Sequence, residues 1–194
     1  MSRLDKQIQF VLEIDKLKGI LRRSYLAGVD RLENSAEHSW HVSLLSLILA
    51  EHSDLTVDPL KVLAMLLIHD IVEIDAGDTY FFDTSAQADK LDREIKAAER
   101  LFGLLPEDQA AEFRSIWEEY EERESNEARF AYALDRFIPV LHAFHTEGRS
   151  WKQHGIRLEQ VLTLNEPIKQ GSRSLWAYAE KLFYQAVEKG YLKP

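Results

Sequence analysis

The feature of this sequence that most constrains its fold is a helical pattern that continues with few interruptions. Proline and glycine, which most often break helices, number only five and eight among 194 residues. No segment alternates apolar and polar residues for long enough to predict a strand. The pattern predicts an all-α fold in a single domain, residues 1–194, with helices near residues 4–18, 36–52, 59–74, 86–102, 107–123, 126–147, 157–166 and 173–189.

Charge and apolar run length restrict the partners that this chain can have. The formal net charge of -9 argues against binding to a nucleic acid polymer. Much of the acidity lies in WEEYEERESNE, residues 117–127, which we interpret as the solvated face of a helix. No apolar run approaches the roughly 20 residues that span a bilayer, and the first residues do not resemble a secretory signal. We therefore expect a cytoplasmic protein that does not bind membranes.

The helix predicted near residues 36–52 places a histidine on a buried face. At about 100° per residue, His38 shares an apolar stripe with Val42. A second apolar side contains Trp40 and Leu44, so we expect this helix to be largely enclosed. His38 should therefore point into the protein.

Two further helices carry polar groups where burial is expected. One is apolar on nearly every side, yet His69 and Asp70 lie side by side near its C-terminal end, and Glu73 follows three residues later. In another helix, Asp135 lies among alanine and leucine. Burying polar groups costs free energy unless they are hydrogen-bonded or bound to a ligand. The sequence therefore leaves open which hydrogen-bond partners or ligands compensate the burial of these side chains.

These groups leave two interpretations open. The chain contains no cysteine, so any metal site must use imidazole or carboxylate ligands. The groups that could bind one divalent metal ion are His38, His69, Asp70 and Asp135. Such a set accepts Mn, Co, Mg, Zn, Fe or Ni. The alternative is a buried hydrogen-bond network without a metal, and periodicity alone does not decide between the two.

The order of these residues resembles the H…HD…D pattern of the HD-domain metal-dependent phosphohydrolases. The segments RLENSAEHS, residues 31–39, and HDIVEIDAGD, residues 69–78, are similar to the corresponding segments of the HD-domain 5'-deoxynucleotidases. The resemblance extends from LKGILRRSY to the ALDRF helix. It implies an HD-domain bundle of about eight helices. It also implies one divalent metal ion, held by His38, His69, Asp70 and Asp135.

The resemblance implies further roles around the metal. Glu73 matches a carboxylate that acts as general acid or base, and Asp78 matches an acidic residue that positions water or substrate. The family uses an arginine followed by an aromatic residue to hold phosphate and nucleoside. The corresponding segment here is LRRSYL, in which Arg22 or Arg23 would bind phosphate and Tyr25, rather than a tryptophan, would be the aromatic residue. This departure leaves the base and sugar preference open.

The remaining histidines distinguish this chain from HD proteins with larger metal sites. None lies between Asp70 and Asp135, and this absence favours one metal ion. His41 lies about 60° from His38 around its helix, so we interpret it as a supporting or partly exposed residue. His142 follows Asp135 by seven residues, and we interpret it as a core or surface histidine.

The implied function is removal of phosphate from a small phosphorylated substrate, specifically a nucleoside or deoxynucleoside 5'-monophosphate. Two alternatives stay open. One is a metal-stabilised nucleotide-binding or regulatory domain without turnover, and the other is a hydrolase of a nucleoside triphosphate or guanosine alarmone. The aromatic stripe of the C-terminal helix, LWAYAEKLFYQAVEKG, predicts either a homodimer interface or packing in the core.

Overall fold

The computed structural model describes residues 1–79 and 88–194, and most of them form helices. The α-helices are α1 (Arg3–Ile14), α2 (Ser35–Leu49), α3 (Pro59–Ile68), α4 (Glu73–Ala76), α5 (Lys90–Phe102), α6 (Glu107–Glu122), α7 (Asn126–His145), α8 (Arg149–His154), α9 (Leu158–Asn165), α10 (Ile168–Gly171) and α11 (Arg173–Glu188). Within the described ranges, eight of these helices span at least eight residues. The predicted all-α bundle of about eight helices is confirmed.

Helix ends follow from local side chains. The carboxylate of Asp58 accepts a hydrogen bond from the backbone N–H of Leu60 at 2.9 Å, just before α3 begins. Asn34 accepts from the N–H of Glu37, whose carboxylate accepts in return from the N–H of Asn34. Most predicted ranges therefore agree with the helices to within a few residues. The start of the helix predicted at 86–102 lies outside the described residues.

The helix predicted over residues 59–74 is shorter in the structure. It ends at Ile68, and His69–Val72 forms a 3-10 turn before α4. Because a 3-10 turn has about three residues per turn, side chains three residues apart lie above one another. Asp70 and Glu73 are therefore brought to the same side, which an α-helical period did not predict.

A short β-hairpin is an element that periodicity did not predict. β1 (Leu21–Tyr25) and β2 (Leu32–Asn34) pair in antiparallel orientation beside α2 and α7. The strands have only five and three residues, too few for a recognisable alternation. The hairpin supplies Arg22 and Glu33, two charged residues that become important below.

The described residues form two hydrophobic clusters, and Ile116 of α6 packs against both. The larger cluster includes residues of α2, α3, α7 and α11, and the smaller cluster joins α5 and α6 to the turn. Ile71 and Val72 are buried in the smaller cluster. The preceding two residues, His69 and Asp70, line a cleft instead. The turn thus places Ile71 and Val72 in the hydrophobic core and His69 and Asp70 in the cleft.

The prediction that α2 is largely enclosed is wrong. Its serine stripe is buried, with Ser39 and Ser43 each 4% exposed, whereas Trp40 is 65% exposed and Leu47 is 53% exposed. The small side chains let the helix backbone approach its neighbours closely, which bulky side chains would prevent. The serine face therefore packs inside, together with His38.

The C-terminal helix α11 is divided in a similar way. Leu182 and Phe183 are buried in the core, whereas Tyr178 and Tyr184 are each 50% exposed.

Among the described helices, none is both long and apolar enough to cross a bilayer. The single-domain organisation, the homodimer and the cytoplasmic location stay predictions.

Candidate active site

The structure brings three of the predicted metal ligands to one point. His38 from α2, His69 from the 3-10 turn and Asp135 from α7 each offer one atom, and these atoms lie within 4.8 Å of one another. The Oδ1 atom of Asp135 is 2.8 Å from His38 Nε2 and 3.7 Å from His69 Nε2. The fourth predicted ligand, Asp70, lies beside them, with its Oδ1 3.1 Å from His69 Nε2.

The local backbone orients His69 toward this cluster. Its Nδ1 donates a hydrogen bond to the carbonyl of Leu66 at 2.8 Å, which leaves the lone pair on Nε2. In the part of the chain that the structure describes, the buried Nε2 atom has no hydrogen-bond partner. An unsatisfied buried acceptor is costly, and a divalent cation would satisfy it. The donor set therefore fits the predicted metal.

The cluster as a whole favours positive charge. Burial would raise the pKa of Asp135, but His38 and His69 beside it hold that pKa well below its usual range. Burial and the charge of Arg22 lower the pKa of His38, yet Asp135 and Glu33 outweigh them and raise it to about 9. Protons and a cation would compete for the same nitrogens, so cation binding should weaken as pH falls.

Sequence reasoning missed Tyr120 as a residue of this site. Its hydroxyl donates to Oδ2 of Asp135 at 3.1 Å. The tyrosine lies in the acidic run interpreted as solvated, and that interpretation holds for the exposed Glu118 and Glu122 but not for the aromatic residues. Trp117 and Tyr120 are buried, and their three-residue spacing was the available signal.

Arg22 is the basic residue inside the cluster. Its Nη1 donates to Oδ2 of Asp70 at 2.8 Å and lies 4.0 Å from Glu73 Oε1 and 3.9 Å from Asp78 Oδ1. Its Nε also lies 3.7 Å from Glu33 Oε2. One guanidinium therefore faces four carboxylates, with only 13% of its side chain exposed. Arg23 is exposed and lines the same cleft. The structure thus places Arg22 among the carboxylates and Arg23 at an exposed position of the cleft, a difference that the sequence alone did not predict.

Both predicted acidic residues lie beside Arg22. Glu73 is buried, and its Oε2 accepts a hydrogen bond from Ser35 Oγ at 2.6 Å. Burial, reinforced by Asp70 and Asp78, raises the pKa of Glu73 to about 8 against the opposing charge of Arg22. Burial also raises the pKa of Asp78. A carboxyl group that titrates near neutral pH can both donate and accept a proton under working conditions.

Tyr25 lies apart from these residues. Its hydroxyl donates to Gln153 Oε1 at 3.1 Å, and the guanidinium of Arg149 lies 3.8 Å from the centre of its ring. Among the described residues that line the cleft, Tyr25 is absent. Its predicted contact with substrate stays a prediction that this geometry does not support.

The cleft connects the cluster to solvent, and its cavity measures about 150 Å³. Its wall contains cationic side chains that sequence reasoning missed, namely Lys90, Arg123 and Arg136. Lys90 begins α5, Arg136 lies in α7 and Arg123 directly follows α6, so no local pattern could have joined them.

The helical bundle brings two imidazoles and two carboxylates together beside a cleft. This is the architecture of a helical metalloprotein. A family model for the HD domain matches residues 14–176 of the chain. The chain therefore belongs to the HD domain family.

Curated relatives and solved structures agree with this membership. The human 5'-deoxynucleotidase HDDC2 is 29% identical over 141 residues, 72% of this chain and 68% of its own length. HDDC2 of Bos taurus is 30% identical over 141 residues, 72% of this chain and 67% of its own length. A crystal structure described as a predicted metal-dependent phosphohydrolase, from Magnetospirillum magnetotacticum MS-1, is 56% identical, with a TM-score of 0.95 over 100% of this chain and 97% of that one.

Proposed function

We propose that this protein is a metal-dependent phosphohydrolase that releases phosphate from a deoxynucleoside 5'-monophosphate. Its membership of the HD domain family and its similarity to proteins named 5'-deoxynucleotidases support this function. The observation that carries the proposal is the convergence of predicted ligands and acids at one cleft: His38, His69, Asp70, Glu73, Asp78 and Asp135.

The four predicted ligands would hold one divalent cation, which Mn, Co, Mg, Zn, Fe or Ni could provide. The unsatisfied Nε2 atom of His69 supports this assignment. When bound, the cation would supply positive charge that polarises a phosphoryl oxygen. Tyr120 would keep Asp135 in place through its hydrogen bond to Oδ2.

Glu73 would donate a proton to the leaving oxygen. Ser35 Oγ donates to its Oε2, so Oε1 is the oxygen available for protonation. Because its pKa is raised to about 8, the protonated form is populated near neutral pH and can deliver the proton to the leaving oxygen. Asp78, 3.9 Å from the same guanidinium of Arg22, would orient water or substrate.

Arg22 would bind the phosphate. Its guanidinium is already held among the carboxylates, and its planar donors match the geometry of a phosphate. Arg23 is exposed at the cleft and would contact outer parts of a ligand. The proposal thus assigns phosphate binding to Arg22, where the LRRSYL segment alone left Arg22 and Arg23 as alternatives.

A panel of nucleotides tests the proposed reaction. The full chain is treated with a chelator, reloaded with Mn²⁺ or Co²⁺, and given ribo- and deoxyribonucleoside mono- and triphosphates and a guanosine alarmone. We expect inorganic phosphate from monophosphates, with deoxynucleotides turned over fastest, and none from His69→Gln. Release of pyrophosphate or triphosphate would instead indicate one of the other hydrolases. Binding of every nucleotide without turnover would indicate a regulatory domain.

A further inference from the structure

A second cluster of ligand-type side chains lies on the far side of His38. Glu33 from β2, His41 from α2 and His142 from α7 each offer one atom, and the three atoms lie within 4.8 Å of one another. Glu33 and His142 are buried, and His41 is half-buried. Of the described residues that line the active-site cleft, none belongs to this cluster.

The buried atoms of this cluster lack hydrogen bonds. Within the described ranges, neither oxygen of Glu33 has a hydrogen-bond partner, and neither does Nδ1 of His142. Glu33 Oε1 and His142 Nδ1 face each other across 3.7 Å, which is too long for a hydrogen bond. The other oxygen, Oε2, lies 3.5 Å from His38 Nδ1 and 3.7 Å from Arg22 Nε. Buried charges are normally hydrogen-bonded, paired closely or bound to a metal.

We propose that Glu33, His41 and His142 bind a second divalent cation of the zinc or cobalt type. Two imidazoles and one carboxylate form a set that zinc uses, with bonds of about 2.0–2.2 Å. Around a tetrahedral ion with such bonds, neighbouring ligand atoms lie roughly 3.3–3.5 Å apart. The 3.7 Å between Glu33 Oε1 and His142 Nδ1 needs only a small movement to reach this spacing.

The half-buried position of His41 gives this site a route to solvent. A water molecule entering there would complete a four-coordinate shell. The ring centres of His41 and His142 are 5.5 Å apart, so the two imidazoles are close enough to share one ion. The cation would join the hairpin to two helices that are distant in sequence.

The second cation would act on the position of His38 rather than on substrate. Glu33 would bind the cation through Oε1, while Oε2 stays near His38 Nδ1. A carboxylate that faces the second nitrogen of a ligating histidine orients its ring. Glu33 is thus a positioning residue. The proposal does not depend on the phosphohydrolase assignment, because its three ligands lie outside the cleft.

Metal content of the intact protein tests the second site. The full chain is treated with a chelator, dialysed against Co²⁺ or Zn²⁺, and analysed by inductively coupled plasma mass spectrometry. We expect His142→Gln to bind one equivalent less than wild type. The matched control is His145→Gln, an exposed histidine on the same helix, which should bind as much as wild type. Equal metal content in His142→Gln and His145→Gln would overturn the proposal.

A second arm keeps the test decisive if His142→Gln does not fold, which circular dichroism would reveal. The variant His69→Gln/Asp70→Asn removes the active-site ligands and leaves the second cluster complete. It should retain one equivalent of Co²⁺ or Zn²⁺, and adding His41→Gln should remove it. A folded His69→Gln/Asp70→Asn protein without bound cation would overturn the second site while leaving the phosphohydrolase proposal standing.

Discussion

The two clusters on either side of His38 both consist of histidine and carboxylate side chains, but these side chains differ in how they are hydrogen-bonded. In the active-site cluster, hydrogen bonds already join the ligands and their neighbours: His38 to Asp135 at 2.8 Å and Arg22 to Asp70 at 2.8 Å. In the second cluster, Glu33 and His142 stay 3.7 Å apart without a hydrogen bond. Among the described residues, the first cluster leaves His69 Nε2 without a hydrogen bond, whereas the second leaves both oxygens of Glu33 and Nδ1 of His142 without one.

Substitution of Asp135 should have the largest effect. Asp135→Asn keeps the shape of the side chain but removes the charge that His38 and His69 face. We expect turnover to fall by more than about 100-fold, because groups that merely support a ligand already cost about 10–100-fold. Phosphate release at saturating cation measures the loss.

Two controls sharpen this comparison between the clusters. Asp108→Asn changes an exposed carboxylate paired with Arg3 and should leave turnover unaffected. His142→Gln, in the second cluster, should retain far more turnover than Asp135→Asn. Similar losses in both clusters would remove the distinction between a catalytic site and a supporting one.

Glu73→Gln should lower turnover but raise the stability of the metal-free protein at high pH. We expect turnover to fall by roughly 10²–10⁴-fold if Glu73 transfers a proton. Burial raises the pKa of Glu73 from 4.5 to about 8, so the folded state binds this proton more tightly than the unfolded chain. Ionisation of Glu73 therefore lowers the free energy of unfolding as pH rises from about 4.5 through 8.

Because glutamine does not ionise, metal-free Glu73→Gln should be more stable than wild type at pH 9, and the advantage should vanish toward pH 4.5. Thermal unfolding measures it, at about 2–4 °C of Tm for each kcal/mol gained in a chain of this size. Glu122→Gln, at an exposed position, is the control and should change neither activity nor Tm. A Tm advantage that is independent of pH would contradict the ionisation argument.

The smallest expected effect compares the neighbouring arginines. Arg22→Lys removes planar donors at the centre of the site, and hydrogen bonds to charged groups contribute about 1.5–3 kcal/mol. We therefore expect KM to rise roughly 10–100-fold, with a smaller change in kcat. Arg23→Lys, at an exposed position, should change KM only slightly. Steady-state kinetics decide the matter, and a larger KM effect at Arg23 would place the phosphate elsewhere.

The two faces of α2 show why sequence patterns mislead about burial. Hydrophobicity favoured burial of Trp40, yet this side chain is 65% exposed, while Ser43 is 4% exposed. A helix that approaches others closely must present small side chains, and this requirement outweighs transfer free energy at a single position. Which face is buried depends on neighbours that are distant along the chain.

The sequence by itself determined the helical class and most helix ranges, because helical periodicity and capping depend on residues within a few positions of one another. The ligand set was predicted from the resemblance to HD-domain proteins, not from periodicity. Only the tertiary structure decided which arginine enters the cluster, that Tyr120 supports Asp135, and that Glu33 meets His142. Those contacts join elements far apart in the chain through an unpredicted hairpin and a 3-10 turn. Their geometry follows from packing between distant segments, which no local pattern encodes.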